Sequence, residues 1–100
     1  MEINLKNVLI KPYWEEFAMA AIDREKLIIV NRKNHDINGI GSKIKNASDV
    51  LIMMQCKKNV ALDKFINVVN KISRHLPSTA NIDCGLEVGK KNGLIVMAVQ

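Results

Sequence analysis

Two histidines, His35 and His75, and two cysteines, Cys56 and Cys84, are the residues of this 100-residue chain best suited to acid–base, nucleophilic or metal chemistry. Their spacing does not assemble it. Neither histidine has a Cys, Asp or Glu at the short intervals that gather ligands around a metal. His35 stands next to Asp36 in a loop-like stretch. His75 falls where a helix ends, and a cation there meets the negative end of the helix dipole. The cysteines form no Cys-x-x-Cys pair and read as reduced, buried, small apolar residues. Glu15 and Glu16 are paired acids, but beside Tyr13 and Trp14 they read as solvated surface. The stretch "HDINGIGSK", residues 35–43, has the glycines of a phosphate loop. It lacks the Gly-Lys-Ser/Thr ending and a clear preceding strand. The expectation is a protein that is not an enzyme, with no cofactor and no metal.

Surface charge is the next resource. The net charge is +5 and the sequence pI about 9.4, with 12 Lys against 3 Arg. Such a balance permits an acidic partner without demanding one. Lys57-Lys58 and Lys90-Lys91 sit in two turns, as solvated lysines or as a basic edge. RNA binding would call for aromatics interleaved with those cations on the strands. The strands have none, so nucleic acid is not the expected partner. Tyr13 and Trp14, directly after Pro12, are either a cap over one end of a sheet or an exposed anchor of the kind that dominates interfaces.

The elements that must position these residues are clearest in the second half. A composition of 48% hydrophobic and 25% charged residues supports a single domain with a real core. Aromatics are only 4%, so that core must be aliphatic. No apolar run approaches the roughly 18 residues that cross a membrane, and no signal peptide opens the chain, so a cytoplasmic location is expected. "SDVLIMMQ", residues 48–55, reads as a strand buried on both faces. "VALDKFINVVNKISRHL", residues 60–76, places Leu62, Phe65, Ile66, Val69, Ile72 and Leu76 on one face of a helix, and Pro77 stops it. "ANIDCGLEVG" alternates as a half-buried strand, Asn92-Gly93 signals a hairpin, and "LIVMAVQ" is its partner. A strand–helix–strand unit followed by a hairpin predicts a mixed sheet.

The first half is less decided. "FAMAAI", residues 17–22, is either a short strand or the end of a helix begun near Pro12. "REKLIIVNRKNH" contains branched residues that favour a strand between flanks that favour a helix. "NGIGSKIKNA", residues 38–47, reads as a loop.

The order of these elements resembles the C-terminal subdomain of the FtsZ/tubulin-like family, whose bacterial member FtsZ acts in cell division. Ile44, Ala47, Val50 and Leu51 match the family's lead into its buried strand. Val60, Leu62, Asp63 and Phe65 loosely match its helix start. Thr79, Ala80, Asn81, Ile82 and Gly85 match its next strand, and Leu94 to Val99 its last. "INLKNV", residues 3–8, is similar to the family's "I-N-x-D-F-x-D-V" stretch, and "FAMAAI" to a strand some 14 residues on. By that mapping Arg24 to Asn34 would be a helix. The resemblance implies an α/β two-layer fold: a four-stranded mixed sheet with about two helices on one face.

Two departures bear on function. The family's glycine-rich loop that cradles nucleotide phosphates has no counterpart in these residues. Where the family's loop carries acids that orient the attacking water, this chain has Lys6 and Asn7. A protonated lysine only donates hydrogen bonds and cannot take a proton from water. The resemblance therefore implies a non-enzymatic interaction module that binds an FtsZ/tubulin-like subunit. Its expected contact set is Asn4, Leu5, Lys6, Asn7, Val8, Tyr13 and Trp14. The alternatives are a small homo-oligomeric scaffold, extended through an edge such as Leu94 to Val99, and a small basic nucleic-acid binder.

Overall fold

A computed structural model describes residues 8–10, 14–22, 26–57 and 61–100. Its centre is β3, Asp49–Lys57, whose unbroken apolar run is buried on both sides of the sheet. Val50, Ile52 and Met54 face one way and Leu51 and Met53 the other, all essentially shielded from solvent. A strand with no polar face must be interior, and β3 has neighbours on both edges. On one side it pairs in parallel with β4, Asn81–Gly89, from Asp49↔Asn81 to Lys57↔Gly89. On the other it pairs antiparallel with β5, Gly93–Val99. The intervening helix α3, Ala61–Ser73, provides the crossover that a parallel pair requires.

Two further strands complete a mixed sheet of order β1-β4-β3-β5-β2. β1 is Val8–Ile10 and runs antiparallel to β4; β2 is Leu27–Arg32 and runs antiparallel to β5. The expected α/β architecture holds, with β2 to β5 as its four longer strands and β1 as a three-residue addition at the β4 edge. Helices α2, Ile40–Ile44, and α3 cover one face. There Ile40, Ile44, Phe65, Val68 and Ile72 pack on Val50, Ile52, Met54, Val96 and Ala98. The opposite face carries α1, Trp14–Ile22, whose Phe17 and Ala21 sit one helical turn apart against Leu51, Met97 and Val99. No helix among the described residues is long and apolar enough to cross a membrane.

Several expectations are corrected, most of them in the first half. "FAMAAI" belongs to a helix, because the four-residue step from Phe17 to Ala21 is what meets the sheet. Residues 24–34 are not a helix: Leu27–Arg32 is a strand, where β-branched Ile28 and Val30 point into the core layer. The mapping from the resemblance was thus displaced by one element. The presumed loop of residues 38–47 contains α2, which begins after Gly39 at φ +78°, a left-handed value that glycine adopts freely. Leu94 to Val99 offers no free edge, because β5 lies between β3 and β2, and it is not the expected hairpin partner of β4, because β3 inserts between the two strands. In α3 the buried line is Phe65, Val68 and Ile72, whereas Leu62 and Ile66 are exposed.

Candidate functional site

Of the expected contact residues, Asn4, Leu5, Lys6, Asn7 and Tyr13 lie outside the described residues. Val8 opens β1 opposite Glu87 of β4, and Trp14 is the first residue of α1.

The richest polar group lies elsewhere, where the carboxyl ends of β2, β3 and β4 come together. The three strands run in the same direction, and open α/β sheets gather ligands beyond such ends. Gln55 of β3 sits between Glu87 of β4 and Gly93 of β5 in the strand register. Its side-chain amide donates to Glu87 Oε1 at 3.2 Å. Its other amide atom, Oε1, lies where a Cβ on Gly93 would come within 2.7 Å, so the glycine makes room for it. Asn92 accepts the backbone N–H of Lys57 at 3.1 Å, which closes the β4–β5 turn over the end of β3.

The loop after β2 wraps the same end. Asn34 Oδ1 accepts the Asp36 N–H at 2.9 Å and Asp36 Oδ1 accepts the Asn38 N–H at 3.0 Å, two successive Asx turns. Arg32 donates from Nη2 to the Asn38 carbonyl at 3.2 Å. His35 donates from Nε2 to the Gln55 carbonyl at 2.6 Å, and the same nitrogen lies 3.9 Å from Cys56 Sγ. Among the described residues Arg32 Nε and Glu87 Oε2 are buried without a hydrogen-bond partner.

His35 and Cys56 look like an acid–base and nucleophile pair, but their geometry and energetics give each a structural role. The His35 nitrogen facing Cys56 already donates to a carbonyl. Burial pushes the Cys56 thiol above its ordinary value, with Lys64 pulling weakly the other way. A catalytic thiol is instead lowered by its surroundings. Burial also raises Cys84, and Asp83 raises it further. Both cysteines are free. Among the described residues no group of three or more His, Cys, Asp or Glu side chains could hold a metal ion. His75 follows α3 at the surface, donating its backbone N–H to the Ile72 carbonyl.

Sequence reasoning singled out His35, Asp36, Cys56 and Asn92-Gly93 of this polar end, but missed Arg32, Gln55 and Glu87 and the meeting of all of them. Gln55, Glu87 and Gly93 are joined only by strand register, and no local pattern announces that. The arrangement can position a loop and present amides and cations.

The fold so built is that of a tubulin-like second subdomain. It superimposes on an FtsZ dimer from M. jannaschii, described as empty, with a TM-score of 0.72, 16% sequence identity and 95% of this chain covered. A W319Y mutant of M. jannaschii FtsZ gives a TM-score of 0.62 at the same identity and coverage. In both cases the match spans 33% of the FtsZ chain, its C-terminal-like region. At such identity the likeness establishes the fold. No family model matches the sequence, and no curated protein sequence matches it.

Proposed function

We propose that this chain is a non-enzymatic interaction module that docks on a subunit of an FtsZ- or tubulin-like protein in the cytoplasm and limits its polymerisation in cell division. The observation that carries this reading is the superposition of 95% of the chain on one third of FtsZ. In the resembled family that region meets the nucleotide-bearing face of the next subunit through the loop at its start. Here the matching residues are Asn4 to Val8, and Tyr13 and Trp14 follow as an aromatic pair able to fill a pocket on the partner. Lys6 and Asn7 stand where the family has acids. Docking therefore occupies the face without orienting water for hydrolysis.

Binding is tested directly by flowing the purified chain over immobilised FtsZ loaded with a slowly hydrolysed GTP analogue. The expected result is saturable binding that weakens at least about tenfold in Trp14→Ala, the loss typical of an aromatic anchor. Absence of binding at excess chain refutes the reading.

A further inference from the structure

The sheet has a second place where a partner fits, independent of the residues from Asn4 to Val8. In the β2–β5 pair the Gln100 N–H donates to the Lys26 carbonyl at 3.2 Å. That fixes which residues of β2 face β5. Hydrogen-bonded positions alternate in an antiparallel pair, so Ile28, Val30 and Arg32 turn their N–H and C=O groups to Ala98, Val96 and Leu94. Leu27, Ile29 and Asn31 turn theirs outward. On the other side of β2 there is no strand among the described residues, and no hydrogen bond from them reaches these six groups. The side chains at the same positions are exposed, with Leu27 at 52% and Ile29 at 61%. Such an edge is a template for an added strand, and soluble proteins usually block it with a central charge, a proline or a bulge. β2 carries none of these before its last residue, Arg32.

Charge at the two ends of β2 decides what the strand can be. A groove at the start of β2 is lined by Lys26, Lys43 and Lys45, and one at its end by Arg32, Lys33 and Lys91. Among the described residues neither groove has an acidic side chain in its wall. A second copy added antiparallel about a two-fold axis at Ile29 would bring Lys26 of each copy against Arg32 of the other, which repels. We propose that β2 is a docking edge for an extended acidic segment of a partner protein. That segment pairs in-plane with Leu27, Ile29 and Asn31, sets apolar side chains beside Leu27 and Ile29, and places carboxylates in the two lysine grooves. Backbone pairing provides the affinity, alternate side chains the selectivity, and the grooves the preference for acidic flanks. A polynucleotide satisfies the cations but not a row of alternating amide donors and acceptors.

The probe is a short synthetic peptide in which valine and threonine alternate between pairs of aspartates, followed by amide hydrogen exchange at single-residue resolution. In the free protein the Leu27, Ile29 and Asn31 amides should exchange fast and those of Ile28, Val30 and Arg32 slowly. Saturating peptide should slow the first set at least about tenfold and leave the second unchanged, with affinity falling as salt rises. Ile29→Pro removes an outward N–H without touching the β5 ladder and should abolish that protection. Lys26→Glu with Lys33→Glu, both on exposed side chains, should weaken binding at least about tenfold and needs no change in the strand.

The proposal is overturned if the outward amides are already protected in the free protein. It is equally overturned if they stay fast in saturating peptide, or if a lysine-flanked peptide binds as well. Two other outcomes refute the assigned occupant: a concentration-dependent dimer that protects the same amides without peptide, and an oligonucleotide that protects them where the peptide does not.

Discussion

Gly41 of α2 lies beneath the imidazole of His75, so close that a Cβ on Gly41 would come within 2.6 Å of His75 Nδ1. The contact joins α2 to the segment that leaves α3. Backbone conformation gives no reason for glycine here, since Gly39 is the glycine with positive φ among the described residues. Replacement by alanine improves helix propensity by roughly 1 kcal/mol but displaces the ring. Gly41→Ala should therefore be destabilising by about 1 kcal/mol in the native background, and neutral or stabilising when combined with His75→Ala. A double-mutant cycle by urea unfolding measures the coupling; additive effects would show that the ring does not set the residue.

His35 fastens the loop after β2 to the carbonyl of Gln55 and lies over Cys56. His35→Ala should cost about 1 kcal/mol, the value of a typical hydrogen bond in a part-buried setting. It should also speed alkylation of Cys56 by iodoacetamide, read by mass spectrometry. Unchanged labelling would mean that the loop covers the thiol without the imidazole.

Both thiols are held above their ordinary value of 9.0, chiefly by burial. The folded chain then keeps protons that the unfolded chain releases. Their contribution to stability is complete below the unfolded thiol value and is lost as pH rises through the folded values. Unfolding free energies measured from pH 8 to about 10.5 should fall with pH, and Cys84→Ser should make that fall shallower. A fall of equal steepness in the variant contradicts the assignment for Cys84.

The two faces of the sheet make a paired prediction. Ile52 is fully buried at the centre of β3, while Ile29 is exposed on β2. Ile52→Ala should cost about 2–5 kcal/mol through lost transfer energy and a cavity. Ile29→Ala should stay within about 0.5 kcal/mol. Chemical denaturation of both variants checks it, and comparable costs would place Ile29 under a cover.

The second half of the fold is legible in the sequence because each element there has one dominant signal. The run Val50 to Met54 has no polar face and the Phe65-to-Ile72 spacing is helical; Asn92-Gly93 marks a chain reversal, but the hairpin it signals does not form, because β3 inserts between β4 and β5. The first half has no such signal. Six apolar residues from Phe17 to Ile22 fit either period, and only the packing of Phe17 and Ala21 on Leu51 and Val99 selects the helix. The glycines at 39 and 41 mask α2 because their reasons are tertiary: a left-handed turn and the ring of His75. The β2 edge was illegible for a similar cause. Which of its amides face outward depends on pairing with β5, some 70 residues away in the chain.

We propose that the chain occupies the subunit-binding face of an FtsZ-like filament without supplying the groups that hydrolyse its nucleotide. Titrating the purified chain into polymerising FtsZ, while following pelleted polymer and GTP turnover together, tests it most directly. The account predicts that polymer mass and turnover fall in parallel as the chain is added. Polymer mass and turnover both unchanged at excess chain, or turnover that rises, would contradict it.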